Sequence, residues 1–285
     1  MSRLAFLVLL VAVGCTDDSG PPPLAKVPGK LGKIAVGTSS LFAIDTTDNT
    51  IVEINIADGS VIGKLTTVGA VTDLSAAGDL VAWVEKEGNN GKVKRRKAGA
   101  IDALGTLTFM PRVLVTDEGV FYSDTGIIGL WADEIPTRVG SPAGAATLIG
   151  VDSSYAYTVE AGMSVQKYDR RMDMKELVVA STQGATVKGG MLAYRTGEGV
   201  RIRDLFTKFD ALFGAPPADY PCELLLAGRA VMCGKYRALE GETEVLLEDP
   251  VAGYAAVGRD LYWVKTAGAN SEIYKTDSEL MLKDE

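Results

Sequence analysis

The 285-residue chain contains no histidine. That absence removes Ser-His-Asp and Cys-His nucleophile systems, histidine-ligated zinc or iron, and any histidine-based pH switch. Chemistry would have to come from carboxylates, lysine, tyrosine or an oxygen-ligated metal such as calcium. Cysteine is scarce, with three residues and no Cys-x-x-Cys spacing. Cations are outnumbered, 29 Lys and Arg against 37 Asp and Glu, for a net charge of −8. Such an excess argues against nonspecific nucleic-acid binding, and no nucleic-acid partner is expected. Beyond the N-terminus no stretch sustains a helical period over a dozen residues, so a helical fold is excluded.

What is present begins with an address. Arg3 is followed by ten apolar residues, Leu4 through Val13, the n-region and h-region of a secretory signal. The run is too short for a membrane-spanning helix, which needs about 20 apolar residues. Val11-Ala12-Val13-Gly14-Cys15 then resembles the lipobox of bacterial lipoproteins, in which a small residue precedes a cysteine that is lipidated. Gly14 and Cys15 match; Ala12 stands where leucine is usual, and Val13 where alanine or serine is commoner. The alternative is ordinary cleavage after Gly14, which leaves Cys15 as a free thiol in an oxidising compartment. The resemblance implies a lipid on Cys15, membrane attachment through it, and a place in the cell envelope. With Thr16 rather than aspartate after the cysteine, it implies the outer membrane before the inner. Residues 15–32, with Pro21-Pro22-Pro23 and Pro28-Gly29, read as an extended tether. The expected organisation is a signal peptide over 1–14, the lipidated cysteine and tether over 15–32, and one folded domain over 33–285.

That domain repeats. Seven apolar or aromatic triplets recur: Leu41-Phe42-Ala43, Val81-Ala82-Trp83, Val120-Phe121-Tyr122, Tyr155-Ala156-Tyr157, Leu192-Ala193-Tyr194, Val231-Met232-Cys233 and Leu261-Tyr262-Trp263. Their last residues lie 40, 39, 35, 37, 39 and 30 apart, most just after a turn rich in Gly, Asp or Ser. A third strand follows, as in Thr50 to Ile56, and a fourth, as in Val61 to Leu65. Four short strands per unit of about 37 residues is the arithmetic of an all-β, seven-bladed β-propeller. The first unit, Leu41 to Ile62, resembles repeats of the YVTN and quinoprotein-like propeller families over about 25 residues. A pair of β-sandwich domains is the competing architecture.

Cys222 and Cys233 read as a disulfide in an exported protein. If Ala227-Gly228 is a two-residue turn, the cysteines face each other directly. If the turn slips to Gly228-Arg229, they become diagonal and the bridge is harder to make. Such a link contributes roughly 3 kcal/mol on the chain-entropy model.

Three further segments carry candidate function. Lys92, Lys94 and Arg96 fall on one face of a strand and could meet lipid phosphates, or guard an outer blade edge. Phe206, Phe209 and Phe213 lie at near-helical spacing before Gly214-Ala215-Pro216-Pro217, and could grip a partner from a projecting turn; the plainer reading is an outer strand and a long loop. Asp45-Thr46-Thr47-Asp48-Asn49 clusters oxygens but lacks the ligand set of a calcium loop, so a hydrogen-bonded turn is expected. No carboxylate pair is spaced for acid–base work, and neither a cofactor nor a metal is expected. The leading expectation is a non-catalytic, membrane-tethered binding or scaffold module with an envelope protein as partner. The alternatives are a propeller hydrolase or lyase with carboxylates and calcium in its channel, and a glycan or small-molecule receptor if Trp83, Trp131 and Trp263 share one pocket.

The address makes one direct prediction. Mass spectrometry of the mature N-terminus should show acyl chains on Cys15; an unmodified Cys15 would reduce the address to export alone.

Overall fold

The computed structural model describes residues 22–108, 111–133, 135–161, 163–172, 174–217, 222–239, 241–247 and 251–279. Cys15 and the signal segment lie outside the described residues. Those residues form seven four-stranded antiparallel sheets arranged as a ring, a seven-bladed β-propeller. From the centre outward, blade 1 is Leu31–Val36, Ser40–Asp45, Thr50–Asn55 and Val61–Thr66. Blade 2 is Val71–Ala77, Leu80–Glu87, Asn90–Lys97 and Ala100–Thr108. Blade 3 is Arg112–Thr116, Gly119–Asp124, Ile127–Trp131 and Thr137–Gly140. Blade 4 is Ala146–Val151, Tyr155–Glu160, Ser164–Asp169 and Lys175–Val179. Blade 5 is Ala185–Lys188, Met191–Thr196, Gly199–Asp204 and Asp210–Gly214. Blade 6 is Leu224–Ala227, Ala230–Cys233, Tyr236–Leu239 and Glu242–Val245. Its strands are the shortest set in the ring, which explains the compressed interval before the last triplet.

Blade 7 is assembled from both ends of the chain. Val251–Val257, Asp260–Ala267 and Asn270–Asp277 supply three strands, and Ala25–Pro28 supplies the outermost. The assignment to a tether is thereby corrected for residues 25–28 and 31–32, which lie on strands, with Ala25 and Val27 buried in the ring; residues 15–21 of that assignment lie outside the described residues. The alternation decides it, because Ala25 and Val27 point inward while Lys26 and Pro28 face water. Closure removes the open sheet edge that an incomplete blade would present.

Each triplet lies on the second strand of its blade, and the geometry explains why all three residues are apolar. Alternate residues on a strand face opposite sides, and each blade buries both sides. Leu41 and Ala43 pack toward blade 7 while Phe42 packs toward blade 2; Val81 and Trp83 pack toward blade 1 while Ala82 packs toward blade 3. Seven hydrophobic clusters result, one at each interface between blades.

Because strands alternate in direction, the turns sort onto two faces. First-to-second and third-to-fourth turns share one, called here the hairpin face. Second-to-third turns and connections between blades share the other, the crossover face.

The bridge between Cys222 and Cys233 is present, with Cα atoms 5.1 Å apart. Its register is the slipped one: Leu224 pairs with Cys233 and Ala227 with Ala230, so Gly228-Arg229 forms the turn. Gly228 adopts a positive φ of 59°, a conformation glycine takes without a steric penalty, which favours this register. Cys222 reaches its diagonal partner from just outside the strand.

Candidate functional site

The central channel is the usual ligand position in this architecture, and here its own charges fill one end. Lys33 Nζ lies 2.6 Å from Asp73 Oδ1 and 3.9 Å from Glu223; Arg112 lies 3.3 Å from Asp73 and 3.4 Å from Glu223. These residues come from blades 1, 2 and 3 and from the start of blade 6, so the cluster spans the channel at the crossover end. Asp73 also accepts the Val113 amide at 2.8 Å. Burial alone would lower the Arg112 pKa, but the carboxylates of Asp73 and Glu223 outweigh it and raise it. At the hairpin end, Lys188 of blade 5 donates to the Ala256 carbonyl of blade 7 at 3.0 Å. Loss of solvent among the channel walls lowers its pKa. The crossover end therefore presents two cations and two anions that satisfy one another, rather than a ring of converging carboxylates. Among the described residues no group of three or more acids or cysteines is placed to hold a metal.

The basic strand is placed differently from expectation. Lys92, Lys94 and Arg96 lie on the third strand of blade 2, covered by the fourth, and do not guard an outer edge. Lys94 pairs with the buried Glu85 at 2.9 Å, and Glu85 also accepts the Trp83 indole N–H at 2.8 Å. Burial would raise the Glu85 pKa, but these donors and the Val68 amide hold it down. Arg96 makes a two-point contact with Glu53 of blade 1, at 2.6 and 2.8 Å, and stacks over Phe42. The Arg96 hydrogen bonds lower the Glu53 pKa. Lys92 is half-exposed beside a small cavity of about 110 Å³ lined by Val68, Glu85, Lys86 and Lys94. The same device recurs between blades 3 and 4, where Arg170 pairs with Glu118 and stacks over Phe121. Of the three basic residues, Arg96 thus joins two blades and Lys94 ties two strands of its own blade.

The phenylalanines occupy a hairpin rather than a helical turn. Residues 205–209 connect the third and fourth strands of blade 5, and Asp204 Oδ1 accepts the Phe206 and Thr207 amides, each at 2.8 Å. Those bonds lower the Asp204 pKa. Lys208 takes a positive φ of 62° to close the turn. Phe206 and Phe209 project into solvent, whereas Phe213 packs into the cluster between blades 5 and 6. The structure therefore separates Phe213 from the other two.

The neighbouring turns were not singled out in the sequence. Among the described residues six large apolar side chains are more than 60 % exposed: Val68 (94 %), Ile135 (82 %), Met172 (63 %), Met174 (62 %), Phe206 (94 %) and Phe209 (70 %). All but Val68 fall on the third-to-fourth turns of blades 3, 4 and 5, at the rim of the hairpin face. The blade 4 turn is built like that of blade 5, with Asp169 Oδ1 accepting the Arg171 and Met172 amides at 2.8 and 3.0 Å. The signal in the sequence was an Asp at the end of each third strand followed by apolar residues where turns are usually polar.

Two other candidates resolve simply. Asp45 accepts the Thr47 amide, and Lys64 lies 3.3 Å from Asp45 and 2.8 Å from Asp48. The oxygen-rich turn is thus neutralised by a lysine of its own blade. Trp83, Trp131 and Trp263 are buried in three different interfaces, between blades 1 and 2, 2 and 3, and 6 and 7, and share no pocket.

No protein-family model matches the chain, and no curated protein matches it. Among solved structures it is similar to the β-propeller domain of Cps50 (Swd1) from Myceliophteria thermophila, 11 % identical over 87 % of this chain and 98 % of that one, with a TM-score of 0.62. It is similar to the computationally designed Ika8 protein, 10 % identical over 90 % of this chain and 100 % of that one, with a TM-score of 0.59. It is also similar to PorZ, an essential bacterial surface component of the type-IX secretion system of Porphyromonas gingivalis. There the identity is 12 %, the coverage 90 % of this chain and 39 % of PorZ, and the TM-score 0.62. At these identities the likeness is one of fold.

The channel cluster yields a contrast. Asp73→Ala leaves the buried Val113 amide without its acceptor and Lys33 and Arg112 with Glu223 alone, and should destabilise the protein by about 2–3 kcal/mol. The Glu223 side chain is 66 % exposed against 3 % for Asp73, so Glu223→Ala should cost at most about 1 kcal/mol. Urea denaturation of the two variants measures the difference; equal costs would contradict this division of roles.

Proposed function

We propose that the protein is a non-catalytic, membrane-tethered binding or scaffold module of the bacterial cell envelope, anchored by a lipid on Cys15 and engaging an envelope protein through its faces and loops. The outer membrane is the favoured location, on the lipobox resemblance. The observation that carries the reading is the channel. Its carboxylates are held by Lys33 and Arg112, so recognition falls to the faces and turns of a ring whose blades are packed and cross-braced. A rigid frame with projecting turns is suited to binding by surface contact. PorZ, described as a bacterial surface component, is an instance of such a fold in an envelope setting. A bacterial lipoprotein with YVTN or quinoprotein-like repeats is the finer identity that belongs to this proposal, resting on Val11 to Cys15 and on the first repeat.

The test is affinity capture of the mature protein from envelope extracts. Recovery of one protein in stoichiometric amount supports the scaffold; repeated recovery of none contradicts it.

A further inference from the structure

The exposed apolar turns are confined to adjacent blades, and their surroundings are basic. Segments 170–176 and 205–209 contain Arg170, Arg171, Lys175 and Lys208 against two acids, Asp173 and Glu176, in a chain that is acidic as a whole. Arg170 is engaged with Glu118, and Lys175 lies 3.6 Å from Glu160, while Arg171 and Lys208 are exposed beside Met172, Met174, Phe206 and Phe209. Asp169 and Asp204, at the ends of the third strands, are turned onto backbone amides that shape the turns. Each tip therefore offers two apolar side chains and an exposed cation. Ile135 extends the apolar row onto blade 3, two residues after the exposed Asp133.

The path of the N-terminal chain bears on what covers this surface. The strand Ala25–Pro28 runs from the hairpin face to the crossover face, because Pro28 pairs with Asn270 at the start of its neighbour and Ala25 with Ile273 farther along. Residues 22–24 therefore lie toward the hairpin face, the one that carries the apolar tips. The Leu24 carbonyl confirms the placement by packing against Gly59, in the third-to-fourth turn of blade 1. Gly59 has no Cβ to obstruct that approach. Only six residues lie between Cys15 and Pro22, a reach of at most about 25 Å. The chain joins the ring beside blades 7 and 1, on the far side of the ring from blades 4 and 5.

We propose that the tips of blades 4 and 5 dock on an anionic lipid surface, with Met172, Met174, Phe206 and Phe209 entering the headgroup region and Arg171 and Lys208 meeting its phosphates. This rests on the membrane-tethered reading in one respect: a lipid-bearing segment joined to residues 22–24 at one rim and the tips at the opposite rim of that face would together lay it on the bilayer. A single acyl anchor binds reversibly, and a second apolar and basic contact converts weak attachment into stable attachment. The face turned away, with the crossover turns, is left for the protein partner.

The test uses the chain from Pro22 onward, which carries every strand of the closed ring and lacks Cys15. In flotation with excess phosphatidylglycerol-containing vesicles it should bind at least about tenfold better than to phosphatidylcholine vesicles, and binding should weaken as salt is raised. Phe206→Ser with Phe209→Ser, and separately Met172→Ser with Met174→Ser, should reduce binding by about tenfold or more while unfolding cooperatively like the parent. A Phe206→Trp variant should be quenched by brominated lipid, because the three native tryptophans are buried. Absence of quenching, or undiminished binding of the serine variants, overturns the proposal. So does loss of a captured envelope protein from the serine variants together with no vesicle binding by the parent, which would make the tips a protein interface. Since Cys15 is absent, an unmodified cysteine in the mature protein discards the anchor and leaves this result standing.

Discussion

Each blade buries both of its faces, so no blade is complete until the ring is. That constraint falls on four residues. Ala25–Pro28 supply the last ladder of blade 7, and Ala25 and Val27 enter the same cluster as Leu41, Val52, Tyr262 and Ile273. The beginning and the end of the chain are thereby held in one sheet. Ser271 strengthens the joint from within, its hydroxyl accepting the Leu31 amide and donating to the Gly29 carbonyl. The C-terminal segment adds a second tie, where Ser278 donates to the Ala227 carbonyl of blade 6 and its own carbonyl accepts Arg237. A seam that would otherwise be the weakest interface is bonded on both sides.

Charge has two duties in this molecule. Inside, it braces: Arg96 with Glu53, Arg170 with Glu118, and the four-residue cluster of the channel all join different blades. The arginines suit the task because a planar guanidinium can make two parallel bonds to a carboxylate and stack on a ring at the same time. Outside, at the tips of blades 4 and 5, Arg171 and Lys208 stand exposed beside apolar residues. Whether a basic residue braces the ring or faces solvent thus follows from its strand position, which composition alone does not reveal.

The repeat was legible because its cause is local. A second strand buried on both faces must be apolar at consecutive positions, and all seven triplets from Leu41-Phe42-Ala43 to Leu261-Tyr262-Trp263 sit on that strand. The closing strand was not legible, since Ala25-Lys26-Val27-Pro28 is short, flanked by proline, and pairs with residues some 240 positions away. The Cys222–Cys233 register depended on one residue of turn placement, and Gly228 with its positive φ settled it. The Phe206, Phe209 and Phe213 spacing imitated a helix because a tight hairpin and a helical turn both bring residues three apart to one side. Met172 and Met174 drew no notice because exposure, and the alignment of turns on adjacent blades, are properties of the assembled ring.

The apolar tips and the closing strand belong to one mechanical arrangement: a ring locked by its N-terminal strand, which also sets the face toward which residues 22–24 lead. The central claim is that closure by Ala25–Pro28 is part of the cooperative core. Native-state hydrogen exchange tests this most directly, read at the amides that pair Ala25–Pro28 with residues 270–273. The account predicts opening free energies equal to that of global unfolding measured by denaturant. Exchange of this ladder at a much lower opening energy, with the remaining blades still protected, would contradict it.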